Sequence, residues 1–127
     1  MRRLLLFGLL FLLVLNSVNA QYLVSNSNDW KDVYSVELYG NLMNLESKFL
    51  TGTRHASILH FSLPDENIEV ISSSNNPVVV GYDTILIGQG TKSVVELSYS
   101  NVNLELARRL DNINKFIIVD PSYGYNV

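Results

Sequence analysis

The chain of 127 residues contains no cysteine. No disulfide can staple it, no thiolate can ligate a metal, and no lipid-modified cysteine can anchor it. Histidine is nearly absent as well: His55 and His60 lie five residues apart, well off a shared helical face, and no acid is spaced to complete a zinc site. No metal and no cofactor is expected. Cations are few. Of the nine Lys and Arg, two (Arg2 and Arg3) fall in the first twenty residues, which leaves seven against twelve acids, a net charge of −5. Beyond residue 20 the sole adjacent basic pair is Arg108-Arg109. Phosphate backbones and anionic lipid surfaces need clustered cations, so neither is an expected partner. The chain also lacks a Walker sequence, the dinucleotide glycine triplet, a G-x-S-x-G elbow and any N-x-S/T acceptor. No carboxylate pair carries a catalytic signature, and Glu37, Glu46, Glu69 and Glu96 are expected to decorate solvated faces. The reading is of a protein that is not an enzyme.

What is present begins with a leader. Arg2 and Arg3 precede an apolar run of 12 residues, Leu4 to Leu15, followed by small and polar Asn16 to Ala20. Val18 and Ala20 sit at the −3 and −1 positions of a cut before Gln21, the three-part pattern of a secretory signal. Twelve helical residues span roughly 18 Å, short of the ~30 Å hydrocarbon core, so a cleaved signal is expected rather than a membrane anchor. Residues 1–20 are thus assigned as a signal peptide and 21–127 as one domain, extracellular or at the cell envelope. Without disulfides, that domain relies on a hydrophobic core.

Short runs rich in β-branched and aromatic residues alternate with helical spacing. The strands expected are Tyr22 to Val24, Lys48 to Leu50, Ile68 to Ile71, Val94 to Leu97 and Phe116 to Val119. Between them, 29–44 has Asn28 or Asp29 as N-cap and places Trp30, Val33, Val36, Leu38, Leu42 and Met43 broadly along one side. Residues 54–63 group Ile58, Leu59 and Phe61 to Leu63, with Pro64 as a stop. Residues 77–88 start on a proline suited to a first helical turn and end at Gly88 and Gly90, although Val78 to Val80 also reads as a strand. Residues 101–110 align Leu104, Ala107 and Leu110, with basic residues in the last turn. This β-α alternation predicts a three-layer α/β domain, Rossmann-like or flavodoxin-like, with a mainly parallel sheet of about five strands. The chain stops seven residues after Asp120, before any helix that would cover the last strand, so the domain is read as incomplete, the N-terminal portion of something longer.

In such sheets ligands bind beyond the carboxyl ends of the strands. There the sequence places Ser25 to Asp29, Thr51 to His55, Ser72 to Asn75, Ser98 to Asn101 and Asp120 to Tyr123, all rich in hydroxyl and amide groups. The candidate ligand-binding residues are Thr53, Arg54, Ser73, Asp120, Ser122 and Tyr123. Such loops also need small polar residues for caps and turns, and that use accounts for most of them. Thr51-Gly52-Thr53 with Arg54 could cradle an anion, without matching a known phosphate loop. Tyr34, Tyr39, Tyr82 and Tyr99 are expected as half-buried rings at the margins of a small core.

Asn101 to Leu110 and Lys115 to Asn126, together with Asp29 to Ser35 and Asn76 to Tyr82, resemble archaeal surface proteins with cell-wall-binding repeats of the second type. The resemblance spans most of residues 22–126 and breaks off at Tyr125-Asn126, where that family continues into an Ala/Ser-rich helix. It implies an α/β fold, export and non-covalent attachment to the envelope. No binding residue is carried over, because the family's wall-contacting motif has no clear match here. The expected role is a non-catalytic envelope or surface-layer module that binds wall polymer or neighbouring surface proteins. The alternative is a small-ligand-binding or enzymatic flavodoxin-like domain using the polar loops at the strand ends.

Overall fold

A computed structural model describes residues 22–111. The expected leader and the expected strand Phe116–Val119 lie outside them. Within them the order is β1 (Tyr22–Asn26), α1 (Trp30–Met43), β2 (Glu46–Phe49), α2 (Thr53–Leu59) running into a 3-10 turn (His60–Ser62), β3 (Ile68–Ser73), α3 (Tyr82–Gly88), β4 (Val94–Tyr99) and α4 (Val102–Arg108). All pairings are parallel and the strand order is β2-β1-β3-β4. The registers align the strand starts, Tyr22 beside both Glu46 and Ile68, and Ile68 beside Val94. This is a three-layer α/β fold, consistent with the flavodoxin-like order in its first four positions.

The sheet is apolar on both faces because helices cover both. Val24, Ile68 and Val70 pack with Leu50, Ala56 and Leu59 around α2, and with Tyr82 and Leu86 of α3. Leu23 and Ile71 point the other way, against Val36 and Tyr39 of α1 and Val102 and Leu106 of α4. Successive strand residues alternate between the layers, which explains why apolar residues stand next to one another in β1 (Leu23, Val24) and β3 (Val70, Ile71). The layer opposite α2 and α3 therefore holds α1 and α4, two helices to each side.

Local chemistry accounts for the helix ends. Asp29 caps α1 by accepting from the Lys31 N–H at 3.0 Å, and Asn101 caps α4 through the Leu104 N–H at 3.0 Å. Asn44 closes α1 in the left-handed region at φ 56°, a conformation asparagine tolerates better than most residues. Helix α3 starts five residues later than its proline suggested. Pro77 to Val80 form neither helix nor strand, and Gly81, at φ 67°, supplies the turn from which Tyr82 begins the helix.

The face that α1 buries also differs from expectation. It turns Ser35, Val36, Tyr39 and Gly40 inward, and leaves Trp30, Leu38, Leu42 and Met43 about half exposed. Close approach decides this: a Cβ on Gly40 would lie 3.2 Å from the Leu45 carbonyl oxygen and 3.4 Å from Leu23 Cδ1. Similarly, α2 buries Ala56 and Leu59 while Ile58 and Phe61 face outward, and α4 buries Val102 and Leu106 rather than Leu104.

Glu69 is not a solvated carboxylate. It is largely buried on β3 and pairs with Arg109, whose second nitrogen donates to the Tyr99 hydroxyl at 2.9 Å. Burial opposes the Arg109 charge, but the bond to Glu69 and the nearby Tyr99 and Tyr39 hold its pKa above the ordinary value. The pair ties the end of α4 to the start of β3. Glu46, on the edge strand β2, stays exposed and accepts from the Tyr22 hydroxyl.

Tyr82 is fully buried rather than marginal, with its hydroxyl donating to the Ala56 carbonyl at 3.1 Å. Burial disfavours the phenolate and pushes its pKa up to about 12. The unfolded chain releases this proton near pH 10, so the stability it contributes is complete below that pH and is lost as the pH rises toward 12. Urea titrations should show a steep decline across this window. Tyr82→Phe should begin about 1 kcal/mol less stable at pH 7, having lost the bond to Ala56, and should decline less between pH 10 and 12.

Candidate functional site at the sheet switch point

The chain leaves β1 toward β2 and returns over β1 to β3, so the direction of crossing reverses between β1 and β3. In open parallel sheets the ligand crevice lies at the carboxyl ends of those two strands. Here that position holds Asn26 and Ser27 from β1 and its exit, and Ser72 and Ser73 from β3, all buried.

Asn26 is fully buried on the layer shared with α2 and α3, and its amide is saturated. Its Nδ2 donates to the Val79 carbonyl at 2.7 Å and to Ser72 Oγ at 2.8 Å, with a longer contact of 3.3 Å to Glu96 Oε1. Its Oδ1 accepts from the Val79 N–H at 3.0 Å. Val79 is thus held through both backbone groups, as a neighbouring strand would hold it, by a side chain. The residues around it explain why Pro77 to Val80 leave both helix and strand.

Glu96, in the middle of β4, completes the arrangement. Its Oε1 accepts from the Ser72 hydroxyl, and its Oε2 accepts from the Asp83 N–H in the first turn of α3 at 3.1 Å. Among the described residues its charge is met by neutral donors, not by a cation. The expectation of a solvated carboxylate is therefore corrected for Glu96 as well. Sequence position gave no warning, because the partners lie 70, 24 and 13 residues away.

A second set of bonds lays the same loop across the strand ends. The Asn28 N–H donates to the Asn76 carbonyl at 2.9 Å, and Asn28 Nδ2 to the Pro77 carbonyl at 3.0 Å. Val78 and Val79 pack onto the core beside α2 and α3. The position that would receive a ligand is filled by the protein's own residues 76–79.

The residues nominated from sequence are not gathered there. Thr53 and Arg54 open α2, exposed, beyond β2 at the sheet edge and with β1 between them and β3. Ser73 is buried at the end of β3. Asp120, Ser122 and Tyr123 lie outside the described residues. The turn before α2 spends donors on its own structure: the Thr51 N–H bonds His55 Nδ1 at 3.3 Å. His60 contacts the Ser57 carbonyl at 3.0 Å, and its ring lies tilted by 39° against Phe61. Among the described residues no group of three His, Asp or Glu is arranged to hold a metal ion, and no helix is long and apolar enough to cross a membrane.

No protein-family model, no curated protein and no solved structure matches the chain.

The clasp sets a stability expectation that urea denaturation can check. Asn26→Ala should cost about 3 kcal/mol, because Val79 and Ser72 lose a buried partner together. Asn26→Asp should be worse at pH 7, with a carboxylate facing Glu96 and the Val79 carbonyl, and should partly recover as acid protonates it. Glu96→Gln, which keeps an acceptor for Ser72, should cost less than either.

Proposed function

We propose that this chain is an exported, non-catalytic envelope module that binds wall polymer or neighbouring surface proteins through its outer surface. The observation that carries the reading is the filled switch point. A doubly wound sheet normally offers its ligand that crevice, and here Asn26 and Asn28 fasten residues 76–79 into it. The alternative reading, a small-ligand or catalytic domain, needs polar loops that converge, and Thr53 and Arg54 stand apart from Ser73. The export half of the proposal rests on the leader pattern of residues 1–20, and the choice of envelope partner on the resemblance described above. The net charge of −5 after the leader favours neutral or cationic partner surfaces over nucleic acid and anionic lipid.

Co-sedimentation with purified envelopes tests the proposal. The exported chain should pellet with intact envelopes, and protease treatment of those envelopes separates a polymer partner, which survives it, from a protein partner, which does not. Small ligands such as nucleotides, flavin mononucleotide and simple sugars should leave the melting temperature unchanged. A saturable rise in melting temperature that Arg54→Ala abolishes, or failure to pellet with any envelope fraction, overturns it.

A further inference from the structure

The two helix layers both carry large apolar side chains on the side away from the sheet. On α1, Trp30, Tyr34, Leu38 and Leu42 follow one another at intervals of four residues and are 45 to 55% exposed. Such a series forms a single ridge along a helix, of the kind that packs into the groove of another helix. On the opposite layer Ile58 and Ile87 and, just beyond α2, Phe61 are 54 to 81% exposed. The Gln89 side chain bonds the Ser57 carbonyl at 3.3 Å, which brings the α3 and α2 parts of this patch side by side. The sheet-facing side of α1 takes Ser35, Val36, Tyr39 and Gly40, and that of α2 takes Ala56 and Leu59, which leaves these residues outside.

We infer that these two faces are complementary and dock one copy of this chain onto the next, the α1 ridge of one against the α2–α3 face of its neighbour. The inference rests on the proposed role as a surface module and specifies its partner as a second copy. Charge argues for it. An apolar ridge of this size covers on the order of 400 Å² on each partner, the scale of a weak contact that fills as concentration rises. Lys31 and Glu37 flank the α1 ridge; Arg54 lies at one end of the α2 face and Asp65 with Glu66 at the other, and none of these has an ion-pair partner among the described residues. Setting α1 antiparallel to α2 brings Lys31 toward Asp65 and Glu66, and Arg54 toward the negative end of α1. A contact between two different faces does not close on itself by a two-fold axis. It repeats, and builds rows.

Mixing two face-specific variants tests this. Tyr34→Gln with Leu38→Gln removes the α1 ridge, and Ile58→Gln with Phe61→Gln removes the other face; both pairs are surface changes whose folding circular dichroism can verify. In sedimentation runs from micromolar to millimolar concentration, the wild type should grow beyond dimers, and each variant alone should stay monomeric. An equimolar mixture should stop at dimers, because each variant keeps the face that the other lacks. A monomeric wild type throughout the range overturns the inference, as does a variant that still self-associates, or a closed wild-type dimer. Envelope binding lost with the α1 variant while the wild type stays monomeric would assign that ridge to another envelope protein, leaving the function proposed above intact and this inference refuted.

Discussion

The arrangement at the top of the sheet depends on a side chain acting as a backbone. A strand end offers its neighbours hydrogen-bonding groups on both sides, and a loop passing over it must find partners for its own. The Asn26 carboxamide presents a donor and an acceptor together, as a peptide group does, and it gives both to Val79. With Val79 fixed, Val78 is held on the core, Gly81 can turn, and Tyr82 enters the interior as the first residue of α3. Ser72 and Glu96 then saturate what remains of the amide, and Glu96 reaches the backbone of α3 itself. A half-buried carboxylate without a cation is tolerable there because several donors converge on it.

The same economy of space shapes the helices. A short four-stranded sheet presents little area to each layer, and its helices come close by turning their small residues inward. Ser35 and Gly40 let α1 approach Leu23 and the turn into β2, and Ala56 does likewise for α2. The consequence is that large apolar side chains, among them Trp30, Tyr34, Leu38 and Leu42 on α1 and Ile58 on α2, stand on the outside. Exposure of that kind costs solubility and connects the packing of the interior to the role of the surface.

Most of the element order was legible in the sequence. Alternation of apolar runs with helical spacing pointed to parallel strands, and the four strands described are parallel; of the two caps offered for α1, Asp29 is the one used, and α3 ends at Gly88 as its glycine indicated. The errors share one physical origin. Periodicity reports which residues are apolar and not which of several apolar stripes the sheet accepts, so it aligns Trp30, Leu38 and Leu42 along one side, and the close approach at Gly40 turns that side outward. Pro77 carried a helix-start signal that the distant Asn26 overrode, and Glu69 and Glu96 took on buried partners from strands and helices that only folding brings near.

The sequence by itself determined the layer architecture and the leader pattern, together with the low count of cations and the want of thiols, since composition and short-range periodicity encode all of these. The tertiary structure alone decided where the switch point lies and that residues 76–79 fill it. It also decided which stripe of each helix meets water. These are outcomes of contacts between residues up to 70 positions apart, and no local pattern carries information about a hydrogen bond whose two halves are strangers in the chain.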